Sequence, residues 1–161
     1  MFPVKQAKTN ALRLLERAKI AFTPLEYETA DGAIDGVSVA QKTGQNPDTV
    51  FKTLVARASS GGLCVFCIPV AHELDLKKAA KAAGEKSVAM LHVAEITPLT
   101  GYVRGGCSPI GMKKAYPTFL HQTAQQYPFI VVSGGRIGLQ IQIAPAALAA
   151  ASGAKMADLC Q

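Results

Sequence analysis

At 161 residues, with 49% hydrophobic and 17% charged side chains, the chain is long enough to bury one sizeable core, and its composition excludes intrinsic disorder. A formal net charge of +6 and a pI near 9.3 give a surface that attracts polyanions, although 11 acidic residues keep the charge from demanding a nucleic acid. No run approaches the roughly 20 apolar residues of a membrane span and the first residues lack a secretion signal, so a single cytoplasmic domain over residues 1–161 is expected, with no membrane partner.

The chain opens with an amphipathic pattern over residues 4–19, where Ala11, Leu14, Leu15 and Ala18 recur at helical spacing while Lys8, Arg13, Glu16 and Arg17 face out. Phe22–Glu28 reads as a strand despite Pro24, and Asp31–Gly36 as a loop. Ser38 is the candidate N-cap of a short helix that Gly44 stops, and Asn46-Pro47 caps a further turn. Val50–Arg57 and Leu63–Pro69 are β-type runs joined through a Gly-Gly turn, the signature of a hairpin. Asp75 caps a helix to Ala83 whose Lys77, Lys78 and Lys81 form a solvated face, with Gly84 as its stop. Ser87–Leu91 reads as a strand, and His92–Glu95 as a helical turn before Pro98.

A glycine loop, Gly101–Gly111, follows. Thr118–His121 and Phe129–Ser133 read as strands around a polar turn at Thr123–Gln126, and Ser133–Arg136 turns the chain into Ile137–Ile143. Pro145 starts an alanine-rich helix that Gly153 ends. Hairpins with helices at the ends and edges, without strict β-α-β alternation, give an α+β class with a mixed sheet.

Two features stand out chemically. Lys52 and Thr53 interrupt an apolar, β-branched run, where a core-filling strand would not bury an ammonium. Either Lys52 snorkels into water and the distant glycines merely turn, or the cation faces the glycine loop, whose uncovered N–H groups suit an anionic or ester ligand. Cys64 and Cys67 have the Cys-x-x-Cys spacing of redox and zinc sites, but on a strand residues three apart face opposite sides, and Cys107 and Cys160 supply no second close pair. Structural, buried cysteines are expected. His72, His92 and His121 show no metal-ligand spacing and read as surface or capping residues.

Six short segments in order, Phe51–Leu54, Leu74–Ala80, Thr100–Gly106, Ser108–Gly111, Val132–Gly135 and Gly138–Ile141, resemble the YbaK/EbsC family, free-standing relatives of the editing domain inserted in bacterial prolyl-tRNA synthetases. Within it the chain is similar to the Cys-tRNA(Pro) deacylase branch, to which Ala154–Asp158 also points. The resemblance implies a twisted, partly barrel-like mixed sheet with surrounding helices, and a trans-editing hydrolase that needs no metal and no cofactor. A second checkpoint has a physical rationale, since an apolar pocket separates near-isosteres such as proline and cysteine by only about 1–3 kcal/mol.

Carried over by position, Lys52 and Thr53 match the family's pocket lysine and threonine, and Tyr27 its tyrosine. Gly105, Gly106 and Pro109 match the loop facing the aminoacyl ester, and Ser133 the serine after paired valines. The resemblance implies that Lys52 holds the terminal adenosine's phosphate or ribose, that loop N–H groups polarise the ester carbonyl, and that the substrate's own thiol attacks to give a thiolactone. Cys107 is not assigned as nucleophile, having no base nearby in sequence. The implied partners are the acceptor end of tRNA(Pro) carrying cysteine, and prolyl-tRNA synthetase as its deliverer.

Two departures bear on specificity. Ile34 or Val37 stands where relatives often have a phenylalanine, and Gln140 replaces an aspartate, offering a neutral amide in place of a carboxylate that would hold the substrate's α-ammonium. Removal of another small amino acid such as alanine, a non-catalytic tRNA- or synthetase-binding module, and a Cys64/Cys67 redox or zinc protein are the competing readings.

Overall fold

The computed structural model describes residues 8–161, so residues 4–7 of the expected first helix lie outside the described residues. Helix α1 spans Asn10–Arg17 and begins at Thr9, whose hydroxyl accepts the Leu12 N–H at 3.2 Å. It stops short of position 19 because Lys19 takes a left-handed φ of 59°, which lets the Ile20 N–H return to the Leu15 carbonyl at 3.0 Å.

Strand β1 (Thr23–Glu26) is shorter than the run 22–28 and lies on a sheet edge, where Pro24 is tolerated. Helix α2 (Gly36–Thr43) starts earlier than Ser38, because Asp35 is the cap: its carboxylate accepts both the Ser38 N–H (3.2 Å) and the Ser38 hydroxyl (2.7 Å). The turn at Pro47–Thr49 then leads into β2 (Phe51–Ala58) and β3 (Leu63–Pro69), the expected antiparallel hairpin. Helix α3 (Leu76–Ala83), capped by Asp75, and strand β4 (Val88–Met90) follow.

Helix α4 (Val93–Thr100) runs through Pro98 rather than ending before it. In so short a helix the proline forfeits a single backbone bond, and the end is secured by Gly101 N–H on the Thr97 carbonyl (2.8 Å) and Thr100 Oγ1 on that of Ile96 (2.7 Å). After β5 (Thr118–His121), strand β6 (Ile130–Arg136) continues through the glycines expected to turn; a bulge between Ser133 and Arg136 absorbs them, and Ile137-Gly138 makes the turn into β7 (Leu139–Ile143). Helix α5 (Pro145–Ser152) and a strand the sequence pattern missed, β8 (Lys155–Ala157), complete the chain.

The strands form a three-stranded sheet, β1-β7-β6, and a five-stranded mixed sheet, β4-β2-β3-β5-β8, in which β3-β5 and β5-β8 are parallel. A parallel bridge between Val50 and Val131 joins the two, giving the α+β, partly barrel-like architecture. Its interior holds Phe51, Val65, Cys67, Leu120, Val132 and Ile141, while the opposite face of the larger sheet packs Cys64, Phe66 and Ile68 against α3. Cys64 and Cys67 therefore point to opposite sides of β3, as period-two alternation requires.

Candidate active site

A cleft of about 420 Å³ opens where the sheets diverge. Five consecutive residues, Val50–Leu54, line it, which a strand can do only by presenting its edge. Pairing explains that edge. Beyond the Val50–Val131 bridge β6 leaves β2, and β4 joins only at Ala56, so the stretch between has β3 on one side and the cleft on the other.

Lys52 occupies this stretch with its side chain 31% exposed, and its Nζ stands 3.6 Å from Glu73 Oε2. Glu73 is mostly in water, so the pair is loose and leaves the ammonium accessible to an anion. Thr53 turns the other way, its Oγ1 3.8 Å from Cys67 Sγ. On the facing side Tyr27 is placed by its N–H on the Gly138 carbonyl (3.0 Å), while Ser133 and Gln140 are cross-strand partners on β6 and β7. Ser133 Oγ accepts the Gly135 N–H at 3.1 Å. Gln140 is only 7% exposed, and its Oε1 has no hydrogen-bond partner among the described residues. A buried acceptor left open costs about 1–3 kcal/mol, so a ligand donor would relieve it.

The glycine loop divides its residues. The Gly106 N–H donates to the Val103 carbonyl at 2.9 Å, closing a turn in which Gly105 takes φ 84°, and that turn projects Arg104 and Gly105 into the cleft. Gly106 and Pro109 do not line it. Gly106 packs so tightly that an added Cβ would sit 2.9 Å from the Ile137 nitrogen, and its N–H is already engaged, so of the two glycines only Gly105 faces the cleft. Pro109 lies in a separate hollow with Leu14 and Met112. The loop is held from behind by buried Tyr102, whose hydroxyl donates to the Ile110 carbonyl at 2.7 Å; burial pushes that phenol up to about 12.

Cys107 reaches the cleft but is mostly buried, and that burial pushes its thiol above the ordinary range, with Thr100 Oγ1 at 3.8 Å. A thiol held neutral is a poor nucleophile.

Sequence reasoning missed several contributors. Lys42 ties down the loop before α2 through the Glu28 carbonyl (2.7 Å), the Ala33 carbonyl (2.8 Å) and Asp31 Oδ1 (2.6 Å), and this hydrogen bond holds the Asp31 carboxyl below its usual value. That loop carries Ile34, and the first turn of α2 carries Val37, the two apolar candidates, into the cleft wall. Arg104 adds a second cation, and no carboxylate pairs with it among the described residues.

The other residues picked from sequence lie elsewhere. His92 begins α4, with its N–H on Glu95 Oε1 at 3.2 Å, and His72 is exposed. His121 is neither exposed nor a side-chain cap: its Nδ1 accepts the Leu159 N–H at 3.0 Å. Lys77 and Lys81 are exposed as expected, whereas Lys78 reaches back to the Cys160 carbonyl (2.8 Å) and Asp158 (3.1 Å).

A family model described as an aminoacyl-tRNA editing domain matches residues 33–151. The chain is 45% identical, over 96% of its length and 94% of the relative's, to an Enterococcus faecalis protein named as a candidate Cys-tRNA(Pro)/Cys-tRNA(Cys) deacylase, EbsC. A crystal structure titled as a candidate trans-editing enzyme for prolyl tRNA synthetase superposes with a TM-score of 0.83 at 26% identity, covering 97% of this chain and 99% of that one. Another, of a hypothetical protein, gives 0.86 at 21% identity over 94% and 99%, a likeness of fold alone.

Proposed function

The chain belongs to the aminoacyl-tRNA editing domain family, and from that premise we infer that it is a trans-editing deacylase which removes cysteine wrongly esterified to proline tRNA. The observation that carries the reading is the meeting of Tyr27, Lys52, Thr53, Gly105, Ser133 and Gln140 around one cleft.

The chemistry follows from what each group offers. The Lys52 ammonium takes the phosphate or ribose of the terminal adenosine. The Gly105 N–H lies toward the ester carbonyl and stabilises the negative charge that develops on its oxygen. Gln140 Oε1 accepts from the substrate's α-ammonium. The substrate then supplies its own nucleophile: the cysteine sulfur bonds to the ester carbon, the bond from that carbon to the ribose oxygen breaks, and the thiol proton passes to the departing oxygen. Free tRNA and a thiolactone result, and water opens the thiolactone to cysteine. Nucleophile and electrophile are already joined, so positioning supplies most of the acceleration. Neutral Cys107 takes no covalent part.

One observation favours a second reading. The neutral amide of Gln140 binds an ammonium less tightly than a carboxylate does, which loosens selection for the amino acid and admits alanine. Delivery by prolyl-tRNA synthetase accounts for tRNA selection by a domain of this size.

The test is single-turnover release of amino acid from proline tRNA charged with cysteine, alanine or proline, and from cysteine tRNA charged with cysteine, by wild type and Lys52→Ala. Rapid loss of cysteine that the substitution abolishes supports the reading. Loss of alanine instead reassigns the substrate, and retention of every amino acid overturns the activity.

A further inference from the structure

Beside the cleft lies a second, mainly apolar recess of about 240 Å³, walled by Met90, Val93 and Ile96 and continuous with the cleft through Thr53, Arg104 and Gly105. The two meet along the open edge of β2.

The polar content of that edge follows from the register. The Val70 N–H donates to the Val50 carbonyl and the Ala58 N–H to the Gly62 carbonyl, so alternate residues 50, 52, 54, 56 and 58 bond toward β3. The intervening residues point the other way, as the Leu91 N–H on the Val55 carbonyl confirms. Phe51 meets β6 at the Val50–Val131 bridge, and β4 begins beyond Val55. Thr53 is left between them, with its N–H and C=O directed out of the sheet and, among the described residues, no strand pairing with it on that side.

An extended residue presents donor and acceptor side by side. Its complement is a flat ligand with an acceptor next to a donor. Adenine offers this on both its edges, the N6 amino group beside N1 or beside N7, whereas guanine offers it only on its Watson–Crick edge, its N7 and O6 both being acceptors. The surroundings suit a base as well. Met90 and Val93 are 43% and 56% exposed, apolar surface that a ring would cover, and Arg104, which lines both hollows and has no carboxylate partner among the described residues, supplies a cation suited to a π-face. The shared lining sets the direction of the ligand: a base held at Thr53 in the recess leaves its ribose toward Gly105 and the ester beyond it, in the cleft.

We propose that this recess seats the adenine of the tRNA's terminal adenosine, with N6 donating to the Thr53 carbonyl and a ring nitrogen accepting its N–H. The proposal rests on the editing reading and adds a subsite for the terminal base that anchors the ester.

Val93→Trp tests it, since the position is exposed and the indole fills the recess without touching the core. Single-turnover deacylation of Cys-tRNA(Pro) is measured for both proteins with the natural terminus and with a terminal purine ribonucleoside lacking N6. The half-saturating concentration should rise at least tenfold in Val93→Trp while the maximal rate stays within about twofold. Loss of N6 should cost wild type about five- to tenfold, the worth of one hydrogen bond, and cost the variant nothing more. AMP titration supplies a readout independent of activity: wild type should bind, and Val93→Trp at least tenfold more weakly. If wild type deacylates but neither the substitution nor the loss of N6 matters, the subsite falls and the editing reading stands. If wild type deacylates nothing yet binds AMP in a Val93-dependent way, the activity falls and the adenine site stands. Equal AMP binding by both proteins, or none by wild type, overturns the subsite.

Discussion

The larger sheet ends in two ways. At β5 an edge is covered: β8 pairs along Phe119–His121, the Asp75 N–H donates to the Leu159 carbonyl, and the Gln161 N–H donates to that of Glu73. Around Thr53 the edge of β2 is left bare, flanked by Lys52 and facing the turn at Gly105. Exposed strand edges invite unwanted pairing, so a covered one is the ordinary solution. The bare one persists where a concave wall and a half-buried ammonium make a ligand, rather than another strand, the natural partner. Stability and chemistry are accordingly assigned to different strand margins, and substitutions should separate them.

The largest effect should come from the bare edge. Lys52→Ala should slow single-turnover deacylation by about 10²–10³-fold, equivalent to about 3–4 kcal/mol of barrier, while leaving the urea midpoint nearly unchanged. A matching loss of stability would mean that Lys52 braces the sheet instead. At the covered edge Leu159 is fully buried against Cys64, Phe66 and Ile68. Leu159→Ala should lower unfolding free energy by about 3 kcal/mol in denaturant titration, yet the folded fraction should deacylate at the wild-type rate. A change in that rate would show the two margins to be coupled, with Glu73 the link, since it touches both Lys52 and the C-terminal residues.

A smaller effect is expected at Lys42, which fastens the loop carrying Ile34 and leading into Val37. Lys42→Met should raise the half-saturating substrate concentration several-fold, with a melting temperature within a few degrees of wild type. The smallest should be a pH dependence at the covered edge. Burial lowers the His121 pKa below its ordinary 6.5, opposed by Asp158 and reinforced by His72 and Lys78. The folded state thus favours the neutral ring that accepts the Leu159 N–H. Its stabilisation is full above the unfolded value and is lost as pH falls from about 6.5 through the lowered folded pKa. Melting temperature should drop between pH 7.5 and 5.5, and drop less in His121→Asn; an equal drop would place the titration elsewhere.

Much of this was legible in the chain. The hairpin of β2 and β3, the caps at Asp75, Gly44, Gly84 and Gly153, and the opposed directions of Cys64 and Cys67 follow from interactions spanning a few residues, which local residue types encode. Errors arose where a local signal had a distant competitor. Ser38 is a good cap, but Asp35 lies one turn earlier and bonds it; the Gly134-Gly135 pair suits a turn, but pairing with β7 draws it into a bulged strand. The candidate site divided in the same way. Lys52, Thr53, Tyr27, Gly105, Ser133 and Gln140 surround one cleft, whereas Gly106 and Pro109 turn from it, a distinction that two adjacent glycines cannot express in sequence.

By itself the sequence determined most of the elements, their α+β order and the family, because these reside in short motifs and periodicities. Tertiary structure alone decided that β8 closes one edge, that Val50 meets Val131 and then parts from it, and that Thr53 is consequently left unpaired. Those outcomes depend on which distant strand arrives beside which, and on where it stops. Such pairings join residues about 80 positions apart at Val50–Val131, a separation over which local propensity carries no information.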